Sequence, residues 1–223
     1  MADDEWLGAK SFVPAAAKID QLRAAASECR GCPLHAGTTQ TVFGAGPQSA
    51  RLVFVGEQPG DQEDRRGEPF VGPAGVLLNR ALREAGIERD QTYVTNAVKH
   101  FKFTQDGAGQ RRIHQTPDHR EVVACRPWLA AELRTIDPDV IVALGATAGK
   151  SLMGEDFRVT RSRGVAIAWP PPGMAAADRR QIILVATIHP SAVLRATDRE
   201  EAYGGFVADL AVAARTLATA GEV

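Results

Sequence analysis

The chain has 223 residues, enough to bury one substantial core, and its 44% hydrophobic and 24% charged residues are the balance of an ordinary globular protein. A net charge of −1 excludes a generally basic nucleic-acid binder, so contact with a polyanion has to use a local patch. No apolar run approaches the roughly 18–20 residues that cross a bilayer. The N-terminus, Met1-Ala-Asp-Asp-Glu-Trp, is acidic where a secretory signal would be basic, so a cytoplasmic protein without membrane contact is expected.

Residues 1–16 read as an acidic, Ala-rich arm of unfixed order, and residues 17–223 as a single domain. A helix fits 17–28, with Ile19, Leu22 and Ala26 on one face. It runs into Cys29-Arg30-Gly31-Cys32, two thiols on a tight turn, and the third cysteine, Cys125, lies far downstream. An odd number of cysteines in a reducing compartment argues for metal and against a disulfide framework. The fourth ligand must then be another residue type, and His35 and His100 are the candidates. Zinc accepts three cysteines and a histidine, an iron–sulfur cluster also takes thiolates, and the residues alone leave both open.

Four short apolar runs follow, at 52–55, 93–98, Val140–Leu144 and 182–188, each suited to a strand covered on both faces of a parallel sheet. Helical patterns at 74–85, 121–135, Ala146–Met153 and 202–217 alternate with them. The predicted architecture is therefore an α/β fold, a three-layer α/β/α sandwich around four mainly parallel strands. Ligands of such folds bind at the carboxyl ends of the strands. Gly56-Glu57-Gln58-Pro59-Gly60-Asp61, Asn96 and His189-Pro190-Ser191 all fall there, so three polar clusters distant in sequence are predicted to share one rim.

Residues 105–114, containing Gly107-Ala108-Gly109 and ending in Arg111-Arg112-Ile113-His114, read as a solvated loop. Lys99, Lys102, Arg111 and Arg112 surround a single acid there, Asp106, and form the one marked basic concentration along the sequence, which suits phosphate contacts. Pro170-Pro171-Pro172-Gly173 reads as a stiff surface connection.

Together, Gly56-Glu57-Gln58-Pro59-Gly60, Pro69-Phe70-Val71-Gly72-Pro73-Ala74-Gly75, Thr95-Asn96-Ala97-Val98-Lys99 and His189-Pro190-Ser191 resemble, in order and spacing, the family 4 iron–sulfur uracil-DNA glycosylases. Two features depart from the ordinary family 4 pattern: Gln58, where alanine is usual, and the segment 105–114. Both resemble the UdgX-type branch, which crosslinks to uracil-containing DNA; Gln110 stands where that branch usually has lysine. The resemblance implies a [4Fe–4S] cluster on Cys29, Cys32, His100 and Cys125, with His35 the runner-up. It further implies a monomer acting on uracil-containing DNA, with single strands the expected form and uracil released.

In that reading Asn96 presents a donor and an acceptor to O4 and N3–H of a flipped uracil, and Phe70 stacks on it. Gly56 and Gly60 belong to the same substrate-binding set, and Ser191 and Arg112 meet phosphate. His189 donates to O2 as charge develops there. Glu57 stabilises the cationic sugar, with Gln58 and Asp61 in the same catalytic set but their separate duties unresolved. His114 is expected to capture C1′ and hold the abasic sugar as a covalent adduct. The competing readings are a conventional multiple-turnover glycosylase, a non-catalytic DNA-binding module and a zinc hydrolase.

Overall fold

In the computed structural model, residues 6–107, 111–170 and 181–220 are described. The chain order begins with α1 (Ile19–Ala26), β1 (Leu52–Gly56), α2 (Asp61–Arg66), α3 (Pro73–Glu84), β2 (Thr92–Asn96), β3 (Phe103–Gln105) and β4 (Arg112–His114). It continues with α4 (His119–Ile136), β5 (Val140–Leu144), α5 (Ala146–Met153), α6 (Val159–Ser162), β6 (Ala166–Trp169), β7 (Ile182–Thr187), α7 (Pro190–Arg195) and α8 (Arg199–Thr219).

The main sheet has the order β2-β1-β5-β7-β6. All its pairings are parallel except that of β6 with β7. Every position of β1, β2 and β5 is buried, because helices cover both faces. Val53, Val55, Ile141, Ala143 and Leu184 pack towards α1 and α4, against Leu22, Trp128 and Leu129. The alternate residues Leu52, Phe54, Val94, Val142 and Val185 pack towards α3 and α8, against Leu78, Leu82, Phe206 and Leu210. The period of two along each strand thus divides one apolar run between two cores. Helix α4 opens on a reciprocal cap: Asp118 accepts from the Glu121 amide and Glu121 from the Asp118 amide, at 3.0 and 2.7 Å.

Among the described residues the sheet has five strands, where four were expected. The additional strand, β6, lies at the edge, and its burial alternates between exposed and intermediate, so it offers no continuous apolar run. The loop expected at 105–114 is a hairpin over its described part: Phe103 pairs with His114, Thr104 with Ile113 and Gln105 with Arg112. Residues 108–110 fall outside the described residues, as do Pro171-Pro172-Gly173.

Part of the expected arm packs on the domain. Ala9–Ser11 form a 3-10 turn against α4, Ala9 is buried, and the Gly8 amide donates to the Gly31 carbonyl at 3.0 Å. Residues 1–5 lie outside the described residues. No helix among the described residues is long and apolar enough to cross a membrane.

Candidate active site

The carboxyl ends of β1, β2, β5 and β7 bring the predicted rim residues together. A Cβ built on Gly56 would stand 2.3 Å from Asn96 Oδ1 and 2.7 Å from Phe70 Cζ, so only glycine lets these two groups converge on the end of β1. Phe70 itself has φ 58°, a left-handed conformation rare outside glycine. Its carbonyl is overlain by Gly75 in the first turn of α3, where a Cβ would sit 1.7 Å from Phe70 O. The loop is therefore folded tightly enough to turn the aromatic ring inwards. Asn96 is 2% exposed and its Oδ1 has no hydrogen-bond partner among the described residues. An acceptor left unpaired in the interior costs about 1–3 kcal/mol, so it marks a place where a donor is missing.

The His189 ring lies 6.3 Å from the Phe70 ring, centroid to centroid. Its Nδ1 accepts from the Ser191 amide at 3.1 Å and faces the Ser191 hydroxyl at 2.8 Å. That assigns the ring proton to Nε2, the nitrogen left to serve as donor. Desolvation, followed by the charges of Arg195 and His114, pushes the imidazolium down to about 4, so the ring is neutral near pH 7. The Ser191 amide and hydroxyl, the groups expected at a phosphate, both turn to His189 here and orient it.

Glu57 lies at the end of β1 with one oxygen on each of two neighbours. Thr147, in the first turn of α5, donates its hydroxyl to Oε2 at 2.5 Å, and His114 Nε2 stands 3.4 Å from Oε1. Thr147 was absent from the sequence-level site, although it lies just past the end of β5 on the same rim. His114 is half exposed at the end of β4 and 6.0 Å from the Phe101 ring.

Gln58, Asp61 and Arg112 hold the hairpin in place. Gln58 is buried; its Nε2 donates to the carbonyls of Lys102 and Gln115 at 3.2 and 2.9 Å, and its Oε1 accepts from the Lys102 amide at 2.8 Å. Arg112 pairs with Asp61 at 2.5 Å and with Asp64 at 2.6 Å, over the rings of Phe101 and Phe103. Asp61 is held below the usual carboxylate range by Arg65 first and, against desolvation, by Arg112. Arg112, expected at phosphate, is thus paired with two acids of α2. The Gly60 amide is likewise taken by Glu63, which also holds the Gly72 amide, at 3.1 and 2.7 Å. Glu63 thereby ties the loop after β1 to the loop carrying Phe70.

The basic concentration seen in sequence is largely neutralised in space. Lys99 is 1% exposed and donates to Glu132 Oε2, Thr95 Oγ1 and the Asn96 carbonyl at 2.5, 2.6 and 2.7 Å. Lys102 pairs with Glu121 and Asp118 at 2.8 and 3.3 Å. The acids that sequence proximity missed arrive from α2 and α4. Arg111 remains exposed. Alongside, Val71, Gly72, Pro73, Val76, Leu77 and Tyr203 help line a mainly apolar cavity of about 640 Å³, whose lining does not include Glu57, Phe70, Asn96, His114 or His189.

Cys29, Cys32, Cys125 and His100 are all buried, and the three cysteines are free thiols. Burial pushes the Cys125 thiol up to about 12 and raises that of Cys32. Cys125 Sγ accepts the Lys99 amide at 3.3 Å. His100 Nε2 meets Thr41 Oγ1 at 2.9 Å, while His35 Nδ1 is bonded to the Cys32 carbonyl at 2.7 Å. A cavity of about 290 Å³ is lined by Cys29, His35, Thr41 and His100, among others. No group of three or more His, Cys, Asp or Glu among the described residues closes on a single metal ion.

The profile of the Uracil DNA glycosylase superfamily matches residues 43–211. A type-4 uracil-DNA glycosylase of Thermotoga maritima is 41% identical over 174 residues, 78% of this chain and 81% of that protein. Type-4 uracil-DNA glycosylases of Sulfurisphaera tokodaii and Archaeoglobus fulgidus are 35% and 33% identical, over 79% and 83% of this chain and 76% and 87% of theirs. The matched stretch contains every rim loop described above, and it places the chain in the uracil-DNA glycosylase superfamily, with type-4 enzymes among its similar relatives.

Proposed function

We propose that this protein excises uracil from DNA by cleaving the N-glycosidic bond. The observation that carries the reading is the buried, unpaired Oδ1 of Asn96 beside the Phe70 ring. Uracil offers an N3–H donor next to the O4 acceptor, which Asn96 complements with its carbonyl and its amide nitrogen. Cytosine offers the opposite pair and would leave the Asn96 acceptor without its donor. The base reaches this depth only when flipped out of the stack or presented on a single strand.

As the C1′–N1 bond breaks, its electron pair goes to uracil, and the His189 Nε2–H faces the charge that grows on O2. Neutral His189 suits this role, since Ser191 fixes the tautomer that keeps the proton on Nε2. Glu57 supplies negative charge beside the cation-like sugar. Capture of C1′ by water completes a conventional, multiple-turnover reaction, the reading that agrees with the names of the relatives.

A second reading is favoured by one contact, His114 at 3.4 Å from Glu57. In it, an imidazole nitrogen forms the bond to C1′ and the other ring nitrogen passes its proton to Glu57. The abasic sugar remains attached, as the resemblance to the UdgX-type branch implies. The bond is N-alkyl, with no carbonyl for water to attack, so the adduct persists. Mixing the protein with a uracil-containing oligonucleotide tests both readings together. Free uracil must appear, and its absence defeats the glycosylase assignment. An SDS-resistant protein–DNA band with about one uracil per protein favours capture by His114; many uracils per protein without a band favour water.

Cys29, Cys32, Cys125 and His100 would hold a [4Fe–4S] cluster, which supplies a structural cross-link between the segment after α1, the end of β2 and α4. The donor chemistry fits: three buried free thiols and a buried imidazole with an outer hydrogen-bond partner in Thr41. The proposal is tested by iron and acid-labile sulfide per chain; zinc in their place overturns it.

A further inference from the structure

The geometry points to Thr147 as the positioning residue that aims the Glu57 carboxylate, an inference that rests on the glycosylase reading above. Glu57 reaches the site on a side chain with three torsions, and a half-buried carboxylate at a strand end has no fixed direction unless something holds it. His114 is the weaker hold, because its side chain is half exposed and its Nε2 stands 3.4 Å away. Thr147 is the firmer one. Its hydroxyl lies 2.5 Å from Oε2, and an ionised carboxylate only accepts, so the hydroxyl donates.

The donor is also carried by a stiff part of the molecule. β1 and β5 are directly paired in parallel, Val55 opposite Ala143. Glu57 follows β1 immediately, and Thr147 is the second residue of the helix that follows β5. The separation of the two side chains is therefore set by the sheet, and the branched side chain of Thr147 has few rotamers inside a helix. With Oε2 occupied, Oε1 is the oxygen left for the sugar and for His114. A carboxylate near a helix N-terminus is favoured as well, which adds to the preference for this rotamer. No step of the reaction needs Thr147 to touch DNA or exchange a proton; it acts through Glu57.

The test is a cycle of Thr147→Val, which keeps the shape and removes the hydroxyl, Thr147→Ser, which restores it, and Glu57→Gln. Single-turnover uracil excision is measured at saturating oligonucleotide, with the apparent KM and the melting temperature of each protein. A hydrogen bond to a charged group is worth enough that Thr147→Val should slow excision by about tenfold or more with KM within about twofold of wild type. Thr147→Ser should recover to within about threefold of wild type. In the Glu57→Gln background, Thr147→Val should change the rate by less than about twofold, because the two residues form one unit.

Wild-type excision by Thr147→Val, an undiminished effect in the Glu57→Gln background, or failure of Thr147→Ser to recover overturns the inference and leaves the glycosylase reading intact. Absence of uracil release by the wild type overturns both. If Thr147→Val melts far below wild type, Thr147→Ala carries the same measurements.

Discussion

The buried pair Lys99–Glu132 makes a quantitative prediction, because its two halves are not equally replaceable. Their side chains are 1% and 0% exposed and 2.5 Å apart. Removing one partner of such a pair generally costs about 3–5 kcal/mol, since the other charge is stranded in the interior. Lys99→Met belongs near the low end: Glu132 retains Tyr93 OH and Thr95 Oγ1 at 2.9 Å and the Gly44 amide at 3.2 Å. Tyr93 remains a donor throughout, because desolvation, reinforced by Glu132, pushes its pKa upwards. Glu132→Leu belongs at the high end or beyond, because it removes the acceptor of those three donors and leaves the ammonium without its counter-charge, with Thr95 Oγ1, the Asn96 carbonyl and the face of the Phe43 ring remaining.

For a domain of this size about 1 kcal/mol corresponds to roughly 2–4 °C, so Lys99→Met should lower Tm by about 6–12 °C. Urea unfolding of the protein as purified, followed by far-UV circular dichroism, gives the free energies directly. The double variant should cost less than the sum of the singles by about 0.5–3 kcal/mol. The reasoning is refuted if Lys99→Met lies within about 1 kcal/mol of wild type, or if Glu132→Leu proves the milder change. The salt dependence of DNA binding supplies an independent check: a residue this enclosed releases no counterion, so Lys99→Met should leave the slope unchanged.

Four further outcomes follow from the site. Asn96→Asp replaces the amide donor with a carboxylate against O4 and should reduce uracil excision about 10²-fold or more; an unchanged rate would mean that the base is read elsewhere. The His189 ring should titrate at about 4 by NMR. Because the unfolded chain takes up that proton near 6.5 while the native chain refuses it, His189 removes stability as pH falls through the window from about 6.5 to about 4; titration at the ordinary value would refute its desolvation. His114→Ser should abolish any SDS-resistant band yet preserve uracil release, whereas general acid–base catalysis by His114 predicts release itself falling about 10²–10⁴-fold. Cys125→Ala should lose iron and sulfide together with folded protein, and a stable, fully active variant would remove the structural role assigned to the cluster.

The sheet and its rim were legible because buried parallel strands are written as short apolar runs, and the polar residues that punctuate them fall where such folds bind ligands. β6 was not legible, since an edge strand with alternating exposure carries no such run. Asn96, Phe70, Glu57 and His189 do meet around the ends of the strands. What the sequence did not show were the partners of the charges. Lys99, Lys102 and Arg112 lie close together along the chain and look like a patch for phosphate, but their acidic partners Glu132, Glu121, Asp61 and Asp64 stand elsewhere in sequence and meet them only in three dimensions. Thr147 was missed for the same reason: a threonine early in a helix has no distinguishing pattern until Glu57 is placed opposite it.

The two departures from the ordinary family 4 pattern, Gln58 and the segment 105–114, turn out to be parts of one device. Gln58 makes three hydrogen bonds, all to the backbone at the two ends of the hairpin segment: the Lys102 amide and carbonyl on one side and the Gln115 carbonyl on the other. Alanine in that place could make none of them, and an enzyme without the hairpin would have nothing there to hold. Arg112 fastens the same hairpin from its outer strand by pairing with Asp61 and Asp64, in the helix immediately after the Gln58 loop. One short stretch, Glu57 to Asp64, therefore supplies both the carboxylate beside His114 and the anchors of the hairpin that carries His114. Since Gln58 is adjacent to Glu57, movement of the hairpin away from the site has to break its backbone bonds first. The histidine is thus held near the carboxylate before DNA arrives, rather than brought there from a free loop.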